Sequence, residues 1–130
     1  MPSRATALIV LAVLLIGSCS RGRSSPFEKE RARLQSRVPP QASRTKESAL
    51  RRDGFHTEAF WEYDFAGHRA AAIQAFRASV PPDYQLLRGG ETDLVYWKYD
   101  GHDSYFLTLT FARTDPPSTK VTVFLESLPD

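Results

Sequence analysis

From Phe55 to Phe65 the chain reads FHTEAFWEYDF, and its side chains alternate in character. Phe55, Thr57, Ala59, Trp61, Tyr63 and Phe65 share one phase; His56, Glu58, Glu62 and Asp64 share the other. A period of two with one polar side predicts a strand laid over a core. The next stretch, GHRAAAIQAFRASVPP, changes period: Ala72, Ile73, Phe76 and Val80 recur at helical spacing, and Pro81-Pro82 stops the helix. Four more strand candidates follow. YQLLR is short, TDLVYWKYD and SYFLTLTFA flank the turn DGHD, and KVTVFLESL closes the chain. Asp100-Gly101 is a hairpin signal because both residues tolerate positive φ. Tyr105, Leu107, Leu109 and Phe111 form one face of the second hairpin strand, and Val121, Val123 and Leu125 one face of the last.

This order, strand, helix, then a meander of strands, predicts an α+β domain over residues 54–130. Its expected architecture is a small antiparallel sheet of four to five strands with one main helix packed on one face. One helix covers one face only, so the reverse face poses a question. Phe60, Phe106 and Phe124 fall there, among Glu58, Glu62, Thr108, Thr110, Thr122 and Glu126. Trp97 or Tyr96 joins them according to the hairpin register, since a one-residue slip turns the whole strand over. Apolar patches of this kind mark interaction sites. The alternative is that the segment before the domain folds back over this face through Phe27, Leu34 and Val38.

The N-terminal pattern differs. Ala5 to Ile16, ATALIVLAVLLI, is apolar apart from Thr6, and Arg4 is the one charged side chain ahead of it. Twelve helical residues rise about 18 Å, short of the roughly 30 Å hydrocarbon core of a bilayer. A positive start, a short apolar run and small residues describe a secretory signal over residues 1–18. Ile16-Gly17-Ser18-Cys19 then resembles the lipobox of bacterial lipoproteins, an aliphatic residue and two small ones before a cysteine. The resemblance covers about the first twenty residues and does not extend to the domain behind them. It implies that Cys19 carries a diacylglyceryl thioether and an N-acyl chain, which would explain why the chain has a single cysteine. It also implies a lipid-anchored location in the cell envelope. With Ser20 after the cysteine, this means the outer membrane, facing the periplasm, in a Gram-negative host.

Charge divides the mature chain. Over residues 19–53 ten Lys or Arg face four Asp or Glu, a net of +6, whereas over 54–130 six face eleven, a net of −5. The first segment reads as a basic, membrane-proximal tether that either lies against anionic headgroups or is simply solvated. Within it, Ser25, Pro26 and Glu28 are the start signals of a short helix over 26–38, which Pro39-Pro40 would end. QASRTKESALRR reads as a polar linker. An acidic domain in an extracytoplasmic compartment is a poor match to nucleic acid.

No catalytic constellation emerges. His56 lies on a polar strand face, His68 at the start of the main helix where it can take part in capping, and His102 in DGHD. There Asp100, His102 and Asp103 make a turn and lack a fourth metal ligand. An enzyme would require two of His56, His68, His102, Glu58, Glu62 and Asp64 to converge. No cofactor and no metal is expected. The expectation is therefore a non-enzymatic, lipid-anchored envelope protein that binds a protein partner through Phe60, Phe106, Phe124 and Trp97. The alternative is a glycan or lipid ligand, held between helix and sheet or stacked on Trp97, Tyr96 or Tyr99. A closed pocket behind Trp61 and Trp97 would favour that alternative.

Overall fold

The computed structural model describes residues 25–114 and 117–129. The chain divides into two units between Ala32 and Arg33. Helix α1 (Pro26–Gln35) starts where its sequence signals place it: the Ser25 Oγ accepts a hydrogen bond from the Glu28 N–H at 3.2 Å. It ends three residues before Val38, ahead of the two prolines.

The unit from Arg33 onward is built on one antiparallel sheet of seven strands among the described residues: β1 (Ala42–Glu47), β2 (Arg51–Asp53), β3 (His56–Ala66), β4 (Gln85–Gly89), β5 (Asp93–Tyr99), β6 (Asp103–Thr114) and β7 (Ser118–Pro129). Helix α2 (Arg69–Ser79) is the helix expected from the alanine-rich stretch. Its position follows from the strand order, β1-β3-β7-β6-β5-β4 with β2 also beside β3. After β3 the chain crosses the sheet through α2, which lies over β6 and β7, and reaches the far edge at β4. The meander β4 to β7 then returns strand by strand until β7 pairs with β3 along ten residues, Thr57↔Ser127 through Ala66↔Ser118.

The expected sheet of four to five strands is thus too small, and residues 42–53 are not a linker. They form β1 and β2, which pair with the same edge of β3. Between them Ser48 bridges the gap: its N–H donates to the Phe60 carbonyl and its Oγ accepts from the Phe60 N–H, both at 2.9 Å. Gly54, at φ +62, opens the two-residue turn that joins β2 to β3. The physical reason this edge is hidden in the sequence is that its side chains stay in solvent. Every residue of β1 and β2 except Ala42 is exposed, so no apolar alternation is needed. Arg44, Lys46, Arg51 and Arg52 also discourage a second sheet from adding there.

The core lies under α2. Trp61, Tyr63, Phe65, Leu94, Tyr96, Tyr105, Leu107, Leu109, Phe111, Val121, Val123 and Leu125 are all buried on one face of the sheet. Phe76 is the helix residue that fills the middle, its ring centroid 5.6 Å from Tyr63, 6.2 Å from Phe65 and 6.1 Å from Phe111. Of the expected helical stripe, Ala72 and Phe76 are buried, while Ile73 and Val80 are half-buried. Phe55, placed in the core phase by the alternation, instead sits at the tip of the β2–β3 turn and is 85% exposed. The turn ends the strand one residue before the pattern does.

Candidate functional site: the open face of the sheet

The second face of the sheet is set by the strand registers. Phe60 on β3 stands directly opposite Phe124 on β7. Phe124 pairs in turn with Thr108 on β6, and Phe106, two residues from Thr108, pairs with Trp97 on β5. The four aromatics therefore run as a diagonal band over four neighbouring strands, each half-buried. Diagonal neighbours on a sheet face lie about 7–8 Å apart, within reach of aromatic rings. The register also settles the choice between Trp97 and Tyr96: Tyr96 pairs with Leu107 and is buried on the core side.

Two residues extend the band without having been singled out for it. Tyr99 and Leu128 are both partners of Ser104, share the phase of Trp97 and Phe124, and are 47% and 41% exposed. By sequence Tyr99 is a sugar-stacking candidate only. Leu128 is the last residue of the expected strand KVTVFLESL, and its outward phase is that of Phe124. Polar groups frame the band. The Lys46 ammonium lies 5.8 Å from the Phe60 ring centroid, and Lys120 lies 3.9 Å from Glu62 across the strand pair.

At one end of the open face three side chains converge. His56 Nε2 is 3.1 Å from Glu126 Oε1 and 3.7 Å from Glu58 Oε2, and Arg51 reaches Glu58 at 3.7 Å. Of the six residues, two of which would have to converge in an enzyme, His56 and Glu58 approach to 3.7 Å, too far for a hydrogen bond. The partner that His56 does bond, Glu126, is seventy residues away in the chain. Only the β3–β7 register brings the two together.

The other histidines are elsewhere. His68 occupies the N-cap position of α2, but its side chain makes no capping bond. In the DGHD turn, Asp100 Oδ1 accepts hydrogen bonds from the N–H groups of His102 at 2.9 Å and Asp103 at 2.8 Å. Burial alone would raise the Asp100 pKa; those two amides, together with nearby positive charge from Lys98, hold the carboxyl below the usual aspartate value.

Hollows offer little room behind the tryptophans. The cavity that includes Trp61, Tyr63, Phe76, Leu34 and Val38 has a volume of about 30 Å³, room for a water molecule and not for a sugar ring. It lies on the α2 side, so Leu34 and Val38 pack there and not over the open face. A larger hollow of about 670 Å³ sits at the start of α2, among His68, Arg69, Ile73, Glu91 and Arg113. Trp97 lines neither. Cys19 and the apolar run before it lie outside the described residues, among which no helix is long and apolar enough to cross a membrane.

Comparison with known proteins yields no relative. No protein-family model, no curated protein and no solved structure matches the chain. Function has to be argued from the surface itself.

Proposed function

We propose that this chain is a non-enzymatic lipoprotein of the bacterial envelope, held through Cys19, whose open sheet face binds a protein partner. The observation that carries the reading is the band Phe60–Phe124–Phe106–Trp97, continued by Tyr99 and Leu128. Aromatics at the centre and charges at the rim are the composition of protein interfaces, in which a few buried aromatic anchors supply most of the affinity. A ligand lodged between helix and sheet has less support, because the space behind Trp61 is about 30 Å³. The proposed work is assembly of an envelope complex or inhibition of an enzyme, at the outer membrane if the host is Gram-negative.

One experiment tests both halves. A photo-crosslinking residue replaces Phe106 in living cells grown with radiolabelled palmitate. The expected result is a palmitate-labelled chain crosslinked to one protein, with the crosslink lost in the Phe60→Ser, Phe124→Ser double variant although that variant remains folded. Absence of label, or a Cys19→Ala chain that matures and localises unchanged, overturns the anchor. An unfolded double variant overturns the docking face.

A further inference from the structure

We propose that His56, Glu58 and Glu126 form a binding site for a divalent transition-metal ion of the zinc class, on the open face beside the aromatic band. It is independent of the docking reading. Among the described residues these three are the group of His, Cys, Asp and Glu side chains placed to hold a metal, with one ligand atom from each within 4.8 Å of the others.

Geometry is the first argument. Around a tetrahedral ion with bonds of about 2.1 Å, neighbouring ligand atoms lie ~3.4 Å apart. The two separations from His56 Nε2, 3.1 Å to Glu126 and 3.7 Å to Glu58, straddle that value. On the third edge the two carboxylates offer oxygens within 4.8 Å of each other. Scaffolding is the second argument. His56 and Glu58 are two residues apart on β3 and therefore on one face, and Glu58 stands directly opposite Glu126 on β7. Both strands are interior to the sheet, so Glu58 and Glu126 are held by ladders on either side, and His56 by its pairing with Asp53 on β2.

Electrostatics supply the third. Two carboxylates directly opposite each other on a sheet face repel, and the pair is 22% and 32% exposed, too sheltered for water to screen it fully. His56 and Arg51 offset part of this, but Arg51 is 75% exposed and its nitrogen stays 3.7 Å from Glu58. A dication between the two carboxylates would offset it more completely. One imidazole and two carboxylate oxygens suit zinc, whereas calcium and magnesium demand six or more oxygens. Three protein ligands leave a fourth position that faces solvent. The site is thus able to take a water or a donor atom from a bound partner.

The test uses the full chain purified from membranes in detergent, without an affinity tag, dialysed against Zn²⁺ and assayed for metal. The expected result is one Zn²⁺ per chain, unaffected by excess Ca²⁺, and at least about tenfold weaker binding in His56→Ala and in Glu126→Gln. His102→Ala, in the turn whose Asp100 is already committed to backbone amides, should bind as the wild type does. Co²⁺ in place of Zn²⁺ should give the intense visible absorption of a tetrahedral site in the wild type and in His102→Ala only. Failure to retain Zn²⁺, or retention that His56→Ala leaves unchanged while far-ultraviolet circular dichroism shows the variant folded, overturns the proposal.

Discussion

The two faces of the same sheet obey different rules although the strands supply both in strict alternation. On the α2 side, Trp61, Tyr105, Leu107, Phe111, Val121 and Leu125 are each no more than 2% exposed. On the other, Phe60, Trp97, Phe106 and Phe124 are as large but only half-buried, and Thr and Glu flank them along β3, β6 and β7. The difference teaches where stability and recognition reside. A buried apolar side chain contributes through contacts on all sides; a half-buried one keeps much of its surface for something else. The faces also divide the charge. The acids of β3, Glu58 and Glu62, meet the basic strands β1 and β2 along one edge, through Arg51↔Glu58 and Lys46↔Glu62. Part of the +6 segment ahead of residue 54 is therefore an edge of the sheet.

The largest expected effect would break this comparison outright. Trp61→Ala opens a cavity beside Phe76 and should cost about 3–5 kcal/mol in a denaturant titration. Phe60→Ala, one residue earlier on the same strand, should cost about 1 kcal/mol, because its side chain is half-exposed and leaves no sealed void. Equal losses would make the open face a second core and remove the physical basis for a docking surface there.

Alternation is what made β3, β6 and β7 legible, since a core on one side forces period two on any strand that covers it. The same logic explains what was hidden. β1 and β2 keep their side chains in solvent apart from Ala42, so QASRTKESALRR carries no periodic signal, and its pairing is dictated by the edge of β3. One signal was present: Asp53-Gly54 has the same turn chemistry as Asp100-Gly101, and reading it as a hairpin would have added the edge. The aromatic band was half legible. Phe60, Phe106 and Phe124 share the outward phase by sequence, but Trp97 needed the β5–β6 register. The His56–Glu126 contact needed the β3–β7 register, which no local pattern encodes.

A smaller effect sharpens the comparison at a sheltered charge on the packed side. Lys98, whose side chain is only 11% exposed, pairs across the sheet with buried Tyr105. Its ammonium lies 5.2 Å from the ring centroids of both Tyr84 and Tyr105 and 3.3 Å from Asp83. Asp83 also takes both ends of the Arg33 guanidinium, at 2.7 and 3.0 Å. The Arg33 hydrogen bonds, and after an opposing contribution from burial those of Lys98, hold the Asp83 carboxyl below the usual aspartate range. A carboxyl with a lowered folded pKa stabilises the fold above its unfolded pKa of about 3.9 and loses that contribution as pH falls through the folded value. Asp83→Asn should therefore cost less than about 1 kcal/mol at pH 7, since Asp83 is 47% exposed and water screens the pair. The gap from wild type should close as pH falls from the ordinary aspartate value through the lowered folded one, in denaturant titrations across pH. A gap that persists in acid would mean that the contact acts by packing and not by charge.

The smallest effect concerns a polar group on the packed side and carries the opposite sign. The Tyr63 hydroxyl is buried and finds no hydrogen-bond partner among the described residues. An unpaired buried hydroxyl costs on the order of 1–3 kcal/mol, so removing it should relieve the fold. Tyr63→Phe keeps the ring against Phe76 and is expected to leave stability unchanged or raise it by up to about 1 kcal/mol at pH 7. Burial also pushes the Tyr63 pKa above its ordinary value, with Trp61 and Arg44 acting the other way. A group whose folded pKa is raised loses its contribution as pH climbs from the unfolded value of about 10 through the folded one. The wild type should accordingly weaken on that alkaline limb more steeply than Tyr63→Phe. Tyr96, raised by burial in the same way, leaves a residual slope in both proteins. A Tyr63→Phe variant less stable at neutral pH, with an unchanged alkaline slope, would show that the hydroxyl is satisfied, and that this face admits paired polar groups at its centre as well as at its rim.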